Sequence, residues 1–367
     1  MYDADVIRVP MGSPGDVSGI ADLFNKGKLA PEHVKAVFAQ TEGDGYARGY
    51  ASQSMEILLS DHLGWPRSRV NAEIPFLMIG GTAGIMHPHW NLFVRRPAEG
   101  KARPRGKRLA LGVKTSRVLA PEEYGTMRMV RVVAETTRAA MRDAGVASAK
   151  DVHCVEVKCP AMTPARIQDA QRRGKKVAST NPAAASSMAK GASALGVALA
   201  LGEVPRAKLK DRVICRDWNL CSEVASTSAG GEQVACRVIV IGNSGRSASD
   251  LVAGHGVMRD QLDLAGAYRG FRSAGLRVKD GTVVPADRGR LAAVFVNAGA
   301  DFAPAVRGRR HTMPSDFLWS YSGWQAKAVA HAVVSAIVGD TMVLASAGAE
   351  HQGPPGANLI CVIARAT

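Results

Sequence analysis

A short stretch of glycine and small residues, emptying into an apolar run, occurs three times in this chain of 367 residues. One copy is Ser226-Thr-Ser228-Ala-Gly230-Gly-Glu232, followed by the apolar run 234–241. A second is Ser346-Ala-Gly348-Ala-Glu350-His-Gln-Gly, followed by 359–363. A worn copy, Ile79-Gly80-Gly-Thr82-Ala83-Gly, precedes 91–94. A recurring block of this kind is one supersecondary unit used repeatedly, so the repeat constrains the architecture before any local propensity does.

The apolar patterning between the copies fills in the unit. In the first, residues 4–10, 34–39, 74–78 and 90–94 read as strands. Helices are expected after Asp16, a candidate N-cap, and from Arg48 through Met55, Leu58, Leu59 and Leu63 at mostly helical spacing. The basic, Pro- and Gly-rich stretch 97–107 is a linker by composition. The second unit offers strands at 109–113, 152–157 and 236–241, with helices at 122–144, 164–176 and 190–201. The third offers helices at 249–264 and 327–337 and strands at 291–296, 341–345 and 359–363. Strands interleaved with helices predict an α/β chain, each unit a sheet covered by helices on one face. The expected units are 1–99, 108–243 and 247–367.

Composition narrows the function classes. The chain is 46% hydrophobic and 22% charged, enough to bury a core. Its net charge of +15 raises the question of nucleic acid, but the Lys and Arg residues are mostly scattered and aromatics are only 5%. There is no RNP, zinc-finger or helix-turn-helix pattern, so no nucleic-acid partner is expected. Cys154, Cys159, Cys215, Cys221, Cys236 and Cys361 form no CxxC pair and mostly sit in apolar runs, as reduced thiols of a cytoplasmic chain would. No signal peptide is read at the N-terminus, and no run reaches the roughly 20 apolar residues of a membrane span. His87, His89 and His351 lack further ligands at useful spacing, so no transition-metal site is expected.

Aligning the units brings out three recurring corners. Gln40, Lys158 and Asn297 each end the second strand. Arg48, Lys190 and Lys327 each open the second helix. Ile79, Ser228 and Ser346 each open the glycine-rich loop, followed by Gly80, Ala229 and Ala347. A lysine at a strand end or a serine before glycine is ordinary turn chemistry. Their recurrence at matching positions points to one shared site, because side chains and free N–H groups converge at strand ends and helix starts.

The motifs Thr41-Glu-Gly, Arg48-Gly, Gly80-Gly-Thr, Val157-Lys158-Cys-Pro, Gly191-Ala-Ser-Ala-Leu-Gly-Val, Arg307-Gly-Arg-Arg-His-Thr-Met313 and Gly348-Ala-Glu-His-Gln-Gly-Pro354 span the chain. Through them the sequence resembles the cyanuric acid hydrolase and barbiturase family of ring-opening cyclic amide hydrolases. The resemblance implies three similar domains about a pseudo-threefold axis, an active site on that axis, a Lys–Ser pair and an Arg from each domain, and a homotetramer. It further implies a structural cation in the loop 350–356, held mostly by backbone carbonyls. The acid expected to assist stands as Gly299 here, with Asp301 nearby.

The departures are informative. Only Lys158 with Ser228 keeps a complete pair, since the other corners hold Gln40 with Ile79 and Asn297 with Ser346. Only Arg48 remains of the three arginines. A serine needs a base to attack a carbonyl, and a lysine serves only when burial or neighbouring cations depress its pKa. The expectation is a hydrolase of cyclic amide C–N bonds with no organic cofactor. Ser228 is its nucleophile and Lys158 its base, while Arg48, Lys190, Lys327, Ser346, Ile79, Gly80, Ala229, Ala347, Gln40 and Asn297 hold the ring. The loop N–H groups receive the oxyanion. Glu42 and Glu232 read as loop-holding acids, and Trp65, Trp90, Trp218, Trp319 and Trp324 as core or subunit contacts. The other reading is a catalytically impaired relative that binds a small ligand or serves as an assembly subunit.

Overall fold

Three times in succession the chain builds a four-stranded sheet of the same connectivity. The structure, a computed structural model, describes residues 1–43, 45–299, 305–313 and 322–367. The first unit comprises β1 (Tyr2–Pro10), α1 (Ser18–Asn25), β2 (Val34–Gln40), α2 (Gly45–Leu63), α3 (Arg67–Glu73), β3 (Phe76–Ile79) and β4 (His89–Pro97). The second comprises β5 (Arg108–Val118), α4 (Met127–Ala144), β6 (Val152–Pro160), α5 (Pro164–Arg172), α6 (Pro182–Leu201), β7 (Ala225–Gly230) and β8 (Ala235–Ser244). The third runs from β9 (Leu251–Met258) and α7 (Leu264–Ser273) through a small hairpin, β10 (Val278–Lys279) and β11 (Thr282–Val283), and the short α8 (Pro285–Arg288). It continues with β12 (Leu291–Ala298), the pair β13 (Ala305–Val306) and β14 (Arg309–Arg310), α9 (Ser322–Val338), β15 (Leu344–Ala347) and β16 (Asn358–Arg365).

The sheet orders are β1-β4-β2-β3, β5-β8-β6-β7 and β9-β16-β12-β15. In each, the second and third strands run parallel and the other pairings are antiparallel. A parallel neighbour demands a crossover, which α2 with α3, α6 and α9 provide. Even the irregularities repeat. The ladder between the second and last strands slips at Val34/Ala36, Val152/Cys154 and Leu291/Ala293.

Both faces of each sheet are buried, for different reasons. The outer faces pack under helices in separate cores, around Ile20, Met55 and Trp90 in the first unit, Val130, Leu195 and Val240 in the second, and Phe271, Val334 and Ile360 in the third. The inner faces share one core, to which all three sheets contribute: Val6, Phe38 and Phe93, then Leu111, Cys154 and Ile239, then Leu251, Phe295 and Ile363. Phe38, Phe93 and Phe295 meet there with ring centroids 4.5–5.9 Å apart. Double burial explains why the second strands read as continuous apolar runs.

Capping sets the ends of the longer helices. The Thr126 hydroxyl accepts from the Arg128 N–H and Gly145 closes α4 at φ 65°; the Asn181 side chain accepts from the Ala184 N–H and Gly202 closes α6 at φ 77°. A Cβ on Gly196 would lie 2.7 Å from Val133 Cβ, so the crossing of α4 and α6 requires glycine there. At 20 residues with mean hydropathy 1.3, α6 is long and apolar enough to cross a membrane. Its residues from Gly191 to Ala198 are buried inside the second unit.

Several expectations are corrected. The helix expected over 249–264 is strand β9 followed by α7. Gly254 and Gly256 weaken the strand signal, yet they let α7 approach, because a Cβ on either would lie within 2.6 Å of its backbone. Asp16 is not the N-cap of α1; Val17 is, although the Asp16 carboxylate accepts from the Ser18 and Gly12 N–H groups. Helices α6 and α9 begin before Lys190 and Lys327, which therefore sit within them rather than opening them. Ser228 and Ser346 lie on strands, not loops.

Candidate active site

Register brings the corners together. On the parallel pairs, Gln40 lies opposite Ile79, Lys158 opposite Ser228, and Asn297 opposite Ser346. Neighbouring strands are ~4.8 Å apart and partners in register project to the same face, so each pair presents two side chains together.

The pairs differ in where those side chains go. Lys158, Ser228, Arg48, Lys190, Lys327, Ser346, Ile79, Gly80, Ala229 and Ala347 all line one chamber of about 520 Å³. Gln40 and Asn297, expected to hold the ring, do not. Gln40 is fully buried; its Nε2 donates to Thr82 Oγ1 at 2.9 Å, and its Oε1 accepts from the Ala345 N–H at 2.9 Å, tying the first unit to the third. Asn297 Nδ2 donates to Gly348 O at 2.9 Å and to Gln352 Oε1 at 3.3 Å. Gln352 Oε1 also accepts from the Thr227 N–H at 2.7 Å, tying the third unit to the second. Gln40 bonds as donor and acceptor at once, which a lysine in its place could not do.

Cations share the chamber with Lys158 and Ser228. Lys158 is buried and its amine is pushed below the ordinary lysine range by desolvation, with the Arg48 charge adding to the fall. Glu232 Oε1, 3.7 Å from Lys158 Nζ, pulls the other way, but its side chain is 63% exposed and water screens it. Lys190 Nζ lies 2.5 Å from the buried Glu350 Oε1. Lys327 Nζ donates to Gly80 O, and burial together with Arg48 brings its pKa down to about 8. Gly81, at φ +66°, must be glycine because a Cβ there would sit 2.2 Å from Trp324 Nε1.

As an edge strand, β7 has a neighbour on one side. Along β7, alternate residues direct both backbone groups toward β6, and the residues between face away. Of the latter, the Thr227 N–H is taken by Gln352. Ala229, next after Ser228, lines the chamber.

Two residues of the site carry no sequence signal strong enough to find them. Trp324, expected in a core or a subunit contact, lines the chamber one helical turn before Lys327. Glu232, expected to hold a loop, faces Lys158 and a second chamber of about 540 Å³ that also contains Arg48, Lys158 and Ala229. Trp319 and Asp301 lie outside the described residues.

Around 350–356 the carboxylate positions that would assist a cation are committed or missing. Glu350 is engaged with Lys190 and with the Ala349 N–H, and Gly299 brings no carboxylate. A Cβ on Gly299 would lie 2.4 Å from Ala357 O, so an acid could not enter there without moving the loop. His351 is a structural tie, accepting from the Cys215 N–H at Nε2 and donating from Nδ1 to Leu220 O. His89 is likewise bonded to the His87 carbonyl. No group of three or more His, Cys, Asp or Glu residues suited to a metal occurs among the described residues.

A three-unit α/β fold, here with a cation-lined chamber at the ends of its parallel strands, is the architecture in which comparison with known proteins finds a match. The profile of the amidohydrolase ring-opening proteins matches residues 5–365. A cyanuric acid amidohydrolase of Pseudomonas sp. (strain ADP) is 44% identical, covering 100% of both chains. A cyclic amide hydrolase of Azorhizobium caulinodans is 42% identical over 98% of this chain and 99% of its own. A solved structure described as cyanuric acid hydrolase, an evolutionary innovation by structural concatenation, superposes with a TM-score of 0.92 at 44% identity over 100% of both chains. The chain belongs to the family of ring-opening amidohydrolases.

Proposed function

We propose that this protein opens the ring of a cyclic ureide or imide by hydrolysing a C–N bond, with Ser228 as nucleophile and Lys158 as base. The observation that carries the reading is the register of Lys158 with Ser228 at a chamber lined by Arg48, Lys190 and Lys327. Burial keeps Lys158 poised to lose its proton. Ala229 lines the chamber next to Ser228, so its N–H is the donor assigned to the oxyanion, and the cations are assigned to the other ring oxygens. Relatives named for cyanuric acid share the family, but Met78, Ile79 and Trp324 make part of this chamber apolar. The substrate therefore has an edge without a carbonyl, or with an apolar substituent, facing Ile79. Unsubstituted cyanuric acid, with three equivalent polar edges, leaves one unpaired there and should turn over poorly. The reading keeps a cytoplasmic homotetramer as the working form and uses no organic cofactor.

The test is a ring-opening screen across cyclic ureides and imides with three variants. Ser228→Ala and Lys158→Met should each lose on the order of 10³-fold or more in kcat with the fold intact. Ser346→Ala should weaken binding and spare the chemistry, because its partner in register is Asn297. A dead Ser346→Ala beside an active Ser228→Ala would overturn the assignment. An inactive wild-type chain that still binds the ring would favour the impaired relative instead.

A further inference from the structure

The three corner cations are held in three different ways. Arg48 stands exposed in the first turn of α2, and a guanidinium keeps its proton at any working pH. Lys190 is ion-paired with the carboxylate of Glu350 at 2.5 Å. Among the described residues the partner of Lys327 is a carbonyl, Gly80 O, across the boundary between the third and first units. The charged groups lining the chamber with it are Arg48 from α2, Lys158 from β6 and Lys190 from α6. All are cations, and Glu350 is engaged with Lys190. Lys327 is 3% exposed and Trp324 stands one turn before it on α9. The Gly80-Gly81 turn holds the pair, since a Cβ on Gly81 would meet both Trp324 Nε1 and Lys327 Nζ.

Building on the hydrolase reading above, we propose that Lys327 is the general acid that protonates the leaving ring nitrogen. The dyad occupies the β6–β7 wall and α9 brings Lys327 to the same chamber. A ring bound between them presents its carbonyl carbon to Ser228 and its adjacent nitrogen toward α9. Ser228 Oγ bonds to the carbonyl carbon and its proton goes to neutral Lys158. As the C–N bond breaks, its electron pair stays on nitrogen, which takes a proton from the Lys327 ammonium. Water then attacks the acyl-enzyme and gives its proton to the now neutral Lys327. Ser228 Oγ departs with the proton from Lys158. Both lysines return to their starting states, and the net change is addition of water across the C–N bond. An amide nitrogen is a poor leaving group until protonated, so the step needs a donor near the working pH. The pKa of about 8 for Lys327, set by burial and Arg48, meets that need, whereas an arginine there could bind but not donate.

The experiment compares the full-length wild type, Lys327→Arg and Ser228→Ala across pH. One cyclic substrate carries an ordinary nitrogen and the other an electron-withdrawing N-substituent. Wild-type kcat should fall on the alkaline side with a midpoint near 8. Lys327→Arg should lose on the order of 10²-fold in kcat with little change in KM, lose the alkaline limb, and recover at least roughly tenfold on the activated substrate. Equal losses on both substrates, or an unchanged alkaline limb, would show Lys327 to be a fixed cation and overturn the proposal. Retention of activity by Ser228→Ala would instead overturn the dyad. A titration of 13Cε-labelled lysines, with the Lys327 signal assigned by its loss in Lys327→Arg, reads the same group without turnover. A midpoint near 8 supports the proposal and one at the ordinary value of about 10.4 overturns it.

Discussion

Glu156 and Lys158 lie two residues apart on β6 and both are buried, at 5% and 6% exposure. Burial opposes charge on either, so it moves them in opposite directions. Lys158 falls below its ordinary range, while desolvation pushes Glu156 up to about 8. The hydrogen bond of Glu156 with Ser226, its partner in register, offsets only part of that rise. The consequence for stability has a definite sign. The folded-state pKa of Glu156 lies above the unfolded value of about 4.3, so the folded chain binds the proton more tightly. Its contribution is complete below that unfolded value and is lost as pH rises toward about 8. Denaturant unfolding should thus show wild-type stability declining from pH 5 to pH 8.5. Glu156→Gln should flatten that decline by up to ~4 kcal/mol. A wild type equally stable at both ends would show that Glu156 is not buried as a neutral acid.

Among the elements, the segment after β15 joins the second and third units most closely. The Ser222 N–H donates to His351 O at 3.0 Å, the Gly353 N–H donates to Ser222 O at 2.8 Å, and Gln352 bridges Thr227 and Asn297. Lys190, reaching from α6 to Glu350, supplies positive charge where the family resemblance implied a cation. Exhaustive treatment with a chelator should therefore leave Tm within about a degree. Lys190→Met, which leaves the buried Glu350 unpaired, should destabilise the chain by about 3 kcal/mol. A large fall in Tm on chelation, reversed by a divalent cation, would show that a metal holds this loop. The legible part of the segment was its glycine and proline spacing. The ion pair was not legible, because Lys190 and Glu350 are far apart in sequence and meet only when two units pack.

For the molecule as a whole, the shared inner core governs how the units behave. No unit buries its own inner face, since Phe38, Cys154 and Phe295 all pack into one cluster. Calorimetry should show one cooperative transition rather than three. The isolated fragment 247–367 should fail to fold, because the inner face bearing Ala253, Phe295 and Ile363 would stand in water. A well-dispersed amide spectrum from that fragment would prove the units independent.

The repeat, the alternation of strands with helices and the survival of one Lys–Ser pair were determined by sequence alone. The first two are carried by residue types at spacings that hold in any context, and the third by those spacings together with the family resemblance. The opening strand of the third unit was misread because Gly254 and Gly256 mute its apolar signal. Its true state is decided by pairing with β16 along Leu251–Met258. Only the tertiary structure decided which corner residues face the chamber. Gln40 and Asn297 match Lys158 in position, yet cross-unit hydrogen bonds draw them into the walls. It also decided that Lys190 and Lys327, alike in sequence, differ in charge environment: among the described residues one meets a buried carboxylate and the other a carbonyl. Desolvation and Coulomb interactions depend on distances between groups from different units, and those distances exist only once the three sheets have closed on their common core.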